Sequence, residues 1–309
     1  MSEILELNQP RPVFRTGRLI SVIVVALLVT AVIYSLLTNP NYHWKIVGEY
    51  LLHPNLVRGI GYTLILTVGA MFIGVVLAVT MAIMRQSPNP VLKGVAWFYI
   101  WFFRGTPIYT QLIFWGLLPT LYPMITLGIP FGPELFSVET KLVLNVFWSA
   151  MLGLGLNEGA YLAEIVRAGL NSVDQGQWEA ATALGMKRGL ILRRIIIPQA
   201  MRVIVPPTGN ETISMLKTTS LVAAVPFTLE LNYQAQNLGR LTFMPVPLII
   251  CAALWYLLIT SILMVGQYYL EKHFGKGLAG NKTTTRPKPK VKESDLSDSE
   301  SEPFMDVTP

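Results

Sequence analysis

Five ionisable side chains stand inside stretches of this chain that are otherwise apolar: Glu158, Glu164, Arg167, Glu211 and Lys217. A charge within a membrane-embedded segment is costly, so such groups face a cavity or one another. The chemistry they offer is recognition rather than bond breaking. A zwitterionic solute needs a cation for its carboxylate and an anion for its ammonium, and Lys217 with Glu158 can supply both. Asn157, Tyr161 and Glu164 recur at i, i+4 and i+7, which puts them on one helical face, and Asn210, Ser214 and Lys217 do the same. Plainer roles compete. Glu164 and Arg167, at i and i+3, can pair with each other, and Lys217 can bind neighbouring carbonyls.

Nothing suggests a catalytic residue or a metal centre. The chain has one cysteine, Cys251, and three scattered histidines, His43, His53 and His273. It has no H-E-x-x-H pattern and no paired membrane aspartates. The P-loop pattern G-x-x-x-x-G-K-[ST] is missing as well, so no cofactor and no ATP site is expected on this chain.

The elements that carry these residues are set by hydropathy. Of 309 residues, 52% are hydrophobic and 14% charged, against about 25% charged in soluble domains. No Asp, Glu, Lys or Arg occurs in 19–44, 59–84, 105–133 or 241–270. About 20 apolar residues cross a bilayer as a helix, and only helices or closed barrels can do so. The run lengths predict an all-α, polytopic membrane protein of about six spans: 19–37, 59–84, 106–121, 141–170, 200–225 and 245–269. The net charge of +6 reflects basic residues flanking these runs. They gather on one side, which places both termini in the cytoplasm and makes a nucleic-acid partner unnecessary.

Two interruptions stand out. Arg104-Gly105-Thr106-Pro107 should break a helix, leaving 91–103 near the cytoplasmic interface and making the four residues a gating or helix-break element. The second is a polar island from Gly176 to Pro198 between the fourth and fifth spans. Ala180, Ala181 and Ala183 let a short helix lie close in a groove, and Glu179 offers a charge to a basic partner. Gly185 permits a sharp turn. Pro198 ends a second helix or begins the fifth span.

The island reads Glu179-Ala180-Ala181, three residues, Gly185, nine residues, Ile195-Ile196-Ile197-Pro198. It resembles the EAA loop of bacterial ABC importer permeases. Phe103-Arg104-Gly105-Thr106-Pro107, Glu158 to Gly169, Gly176-Gln177-Trp178, Pro206-Pro207 and Leu216 to Leu221 extend the likeness to the polar amino acid uptake permeases over about 59–272. That resemblance implies a type I ABC importer permease-like core. In it Gly176, Glu179, Ala180, Ala181, Gly185 and Pro198 couple to ATPase subunits, and Glu158, Tyr161, Glu164, Asn210, Ser214 and Lys217 lie along the substrate path. It implies two cytoplasmic ABC ATPase subunits that use ATP and magnesium, an extracytoplasmic amino-acid-binding protein, a second permease copy or homologue, and a bacterial cell membrane. The division expected is 1–18 cytoplasmic tail, 19–37 extra first helix, 59–272 transmembrane domain and 275–309 disordered tail. An ion-coupled secondary transporter is the rival reading, and it predicts an internal repeat that the chain lacks.

Overall fold

The computed structural model describes residues 16–129 and 134–275. The expected tails therefore lie almost wholly outside the described residues. The long helices are α1 (Thr16–Thr38), α3 (Pro54–Gln86), α7 (Val146–Asn171), α10 (Ile197–Thr218) and α12 (Pro245–Phe274), and α4 (Pro90–Gly105) and α5 (Ile108–Leu121) follow one another across a break. Three of these, α1, α3 and α12, are apolar enough to span by length and composition alone. Short helices sit between them: α2 (Trp44–Tyr50), α6 (Thr140–Val143), α8 (Gln175–Ala183), α9 (Arg188–Ile191) and α11 (Leu231–Leu241).

Helix boundaries follow local chemistry. Asn145 Oδ1 accepts the Trp148 amide at 3.1 Å, and that cap starts α7 at Val146 rather than at the expected Lys141. Lys141 lies instead on α6, paired with Glu139 at 2.9 Å. One departure from an all-helical chain occurs among the described residues. Strands β1 (Met124–Gly128) and β2 (Glu134–Glu139) form an antiparallel hairpin between α5 and α6.

The core is the α3–α7 pair. Leu66, Ala70, Gly74 and Ala78 form the buried stripe of α3, and Leu154, Gly155, Gly159, Leu162 and Ala163 answer it on α7. Gly155 and Gly159, four apart, let the helices approach closely. A Cβ on Gly155 would come within 2.7 Å of Ile73 Cγ2, and one on Gly159 within 2.8 Å of Leu77 Cβ. The first helix differs. It is apolar all round and has no buried residue, the pattern of a span surrounded by lipid.

A buried carboxylate fixes α11. Glu230 accepts the amides of Asn232 at 2.7 Å and Tyr233 at 3.4 Å, capping the helix. It also accepts the hydroxyls of Thr63, at 2.8 Å, and Tyr256, so one side chain joins α3, α11 and α12. Glu230→Ala should therefore destabilise the protein by about 2–4 kcal/mol, from the lost cap and two hydroxyls left without an acceptor. A thermal-unfolding series in detergent checks this. Glu230→Gln, which keeps an acceptor oxygen, should fall between the two.

Candidate functional site

The site is built from three layers, beginning at the broken crossing. In an unbroken helix the Phe103 carbonyl would accept from residue 107, but Pro107 has no N–H. Two amides from elsewhere serve that carbonyl instead. Gln111 Nε2 donates to it at 2.9 Å and Asn157 Nδ2 at 3.0 Å. Gln111 Nε2 also lies 3.0 Å from the Thr106 carbonyl and 2.7 Å from its hydroxyl, and Asn157 Nδ2 reaches Gln111 Oε1 at 3.2 Å. Asn157 is thus a buried splint for the break, not a free ligand. Because Asn157 lies near the middle of α7, the far end of α4 reaches deep into the helix bundle. This corrects the expectation that 91–103 stays near the cytoplasmic interface.

Next along α7, the Arg104 guanidinium sits 5.3 Å from the centroid of the Tyr161 ring, a cation–π geometry. Glu164 is already engaged. Arg85 approaches it at 3.2 Å and Arg167 at 2.7 Å. The plainer pairing with Arg167 is present, and Arg85 from the end of α3 adds a second cation that sequence reasoning missed.

The third layer is a groove of about 560 Å³ between α10 and α12. Asn210, Ser214 and Lys217 line it from one face of α10, as their spacing predicts, joined by Glu211, Gln267 and Glu271. Gln267 Nε2 donates to the Pro206 carbonyl and to Glu271 Oε1, both at 2.8 Å. Glu158 does not line the groove. It is 4% exposed, packed against Gly74, with Oε1 lacking a hydrogen-bond partner. No salt bridge joins it to Lys217 among the described residues. Glu211 and Glu271 are the carboxylates that share the groove with Lys217.

The polar island folds as two short helices on the cytoplasmic side of the expected topology. Asp174 Oδ1 accepts the Gly176 amide at 2.6 Å and starts α8. Its end is a paired closure: Gly185 N–H donates to Thr182 O at 2.9 Å and Met186 N–H to Ala181 O at 3.1 Å. That closure places its second-last residue, Gly185, in the left-handed region, with φ +73°, as such helix ends require. Ala181 is buried with Ile191 and Ile196, whereas Glu179, Ala180 and Pro198 are exposed. Leu184, beside the turn, is 81% exposed and was not singled out from sequence. From Arg188 the chain stays helical through a π turn at Leu192–Ile196 and on into α10. Pro198 stands in the first turn of α10. The wider π turn just before it accommodates a residue that cannot donate to the ladder.

Among the described residues no cluster of three or more His, Cys, Asp or Glu could hold a metal ion.

Comparison with known proteins adds the following. The profile of the family described as "Binding-protein-dependent transport system inner membrane component" matches residues 70–276. The chain is 50% identical over 270 residues to the arginine transport system permease protein ArgU of Corynebacterium glutamicum, covering 87% of this chain and 84% of that one. It is 34% identical over 237 residues to the L-cystine transport system permease protein TcyB of Bacillus subtilis, covering 76% and 93%. Among solved structures it is similar to a chain of an amino acid ABC transporter, with TM-score 0.59, 35% identity, and 71% and 94% coverage. A chain of the MetNI methionine ABC transporter, at 17% identity and TM-score 0.58, shares the fold.

Proposed function

We propose a mechanism from the following premise: the chain belongs to the inner membrane components of binding-protein-dependent transport systems, as an amino acid ABC permease. It is the permease subunit of an ATP-driven amino acid importer, and this membership sets the ion-coupled alternative aside. The observation that carries the mechanism is the unbroken helical run from Arg188 to Thr218. It joins the exposed island, with Glu179 and Leu184, to the groove lined by Asn210, Ser214 and Lys217.

In this reading two cytoplasmic ATPase subunits dock on Glu179, Ala180 and the Gly185 turn. An external binding protein delivers the solute, and a second permease completes the path. Arg104 and the break at Gly105–Pro107 act as a gate, since Phe103 and Arg104 change environment if Gln111 and Asn157 let go. Both termini lie in the cytoplasm of a bacterial cell.

The groove favours a cationic amino acid. Lys217 can hold the α-carboxylate, while Glu211, with Glu271 nearby, offers negative charge to an ammonium or guanidinium. The 50% identity to an arginine permease supports that choice. Direct charge-assisted hydrogen bonds contribute about 1.5–3 kcal/mol, so Glu211→Gln should weaken arginine uptake by roughly tenfold or more at subsaturating substrate. Lys217→Met should reduce uptake of every amino acid carried. Transport assays in proteoliposomes with the partner subunits check both. Equal uptake of arginine by Glu211→Gln and the parent would remove Glu211 from the path. Import that survives ATP depletion but stops with an uncoupler would reject the ATP-driven mechanism itself.

A further inference from the structure

Over residues 125–127 and 136–138 the β1–β2 hairpin has an apolar and a polar face. Pairing sets Ile125 against Val138, Thr126 against Ser137, and Leu127 against Phe136. Successive residues of a strand point to opposite sides. One face therefore carries Ile125, Leu127, Phe136 and Val138, and the other carries Met124, Thr126, Ser137 and Glu139, while Leu135, 73% exposed, sits at the irregularity opposite Leu127 and Gly128. On the apolar face Leu127 is 63% and Phe136 57% exposed. A two-stranded hairpin is at best marginal alone in water, so this face needs cover that the other described residues do not supply.

The hairpin is held at its base. Thr140 donates its amide to the Pro123 carbonyl at 2.9 Å and its hydroxyl to the Tyr122 carbonyl. That clamp ties both strands to the end of α5. On either side the surface stays apolar and exposed: Leu117 and Leu121 on α5, Leu142 and Val143 on α6. The lipid-facing side of a crossing helix thus continues into the hairpin without a charged break. Glu139 lies on the opposite face, engaged with Lys141 at 2.9 Å.

We propose that the hairpin is a membrane-interface anchor, lying on the outer leaflet with Ile125, Leu127, Phe136 and Val138 inserted at the boundary of headgroups and acyl chains. Its occupant is the lipid surface, reached by the same apolar band that faces lipid on α5. Insertion of roughly 5–10 Å is the usual depth for interfacial amphipathic elements. The anchor fixes the outer end of the broken α4–α5 crossing relative to the bilayer.

The test uses the whole transporter in nanodiscs of phosphatidylglycerol and phosphatidylethanolamine, in a Cys251→Ser background. Spin labels are placed singly at Leu127→Cys, Phe136→Cys, Thr126→Cys and Ser137→Cys, and their collision with oxygen and with a nickel chelate is compared. The apolar-face labels should show an oxygen-to-nickel ratio several-fold above that of the polar-face labels. A Thr126→Cys/Ser137→Cys double label should show the close spin–spin coupling of a cross-strand pair. Nickel reaching all four sites equally would put the apolar face in water and overturn the proposal. Shielding of Leu127→Cys and Phe136→Cys from both reagents would mean that a protein covers the face, overturning it as well. Loss of the cross-strand coupling would remove the hairpin on which it rests.

Discussion

Gly185→Val should leave the permease inserted and folded but cut ATP-driven uptake by roughly five- to hundredfold. Nothing lies within 4 Å of a Cβ built at Gly185, so the cost comes from the backbone and not from a clash. At φ +73° a β-branched residue is strained by about 1–3 kcal/mol, and each 1.4 kcal/mol is about tenfold in the population of the native turn. The turn presents Leu184 and closes α8, so its loss disorders the surface proposed to receive the ATPase subunits. Gly185→Asn is the control, since Asn tolerates the left-handed region and should retain most activity. Glu179→Ala provides a second arm, because Glu179 is exposed and its removal leaves the fold unchanged. Uptake and binding-protein-stimulated ATP hydrolysis in proteoliposomes measure the effect. Unaltered coupling in both Gly185→Val and Glu179→Ala would defeat the docking assignment.

The second large effect is on assembly. Gly159→Leu should prevent accumulation of a stable permease. A Cβ there meets Leu77 Cβ at 2.8 Å and Tyr99 Oη at 2.6 Å, and the Tyr99 hydroxyl is committed to the Leu156 carbonyl at 2.6 Å. Neither helix can yield without separating the α3–α7 core. Overpacking of this kind costs about 1–3 kcal/mol even when a core can adjust, and four added carbons exceed such adjustment. Gly266→Leu on α12 has the same chemistry but opens onto empty space, so it should be nearly neutral. Size-exclusion profiles and thermal unfolding of the two variants separate packing from a general intolerance of leucine.

Much of this architecture was legible in the sequence because its causes are local. Charge-free runs marked α1, α3, α5 and α12, Pro107 located the break, and the island's glycine located a turn. The spacing of Asn210, Ser214 and Lys217 put them on one groove wall. What was not legible depends on distance along the chain. Glu230 meets Thr63 across a separation of 167 residues, which no periodicity records. The placement of Glu158 depends on which face of α7 turns inward, and it packs beside Gly74, away from the groove lining. Some signals were present and unused. Gly155-x-x-x-Gly159 is a helix-packing pattern, Gln111 is a strong hydrogen-bonding residue in an apolar run, and Asn145 is a cap. The alternation of Ile125-Thr126-Leu127 reads as a strand, though Pro and Gly residues surround it.

The helical run that ends in α10 has a mechanical consequence. From Arg188 to Thr218 it is a rod on the order of 45 Å long at 1.5 Å per residue. Its stiffness is uneven. Pro206 and Pro207 donate nothing to the carbonyls of Arg202 and Val203, so two adjacent rungs are missing and the rod bends most easily there. Gln267, reaching across from α12, grips the Pro206 carbonyl at this soft point. Under the proposed docking at the island, a push at the cytoplasmic end would be taken up as bending at Pro206, and Gln267 would pass that bend to α12, the other wall of the groove.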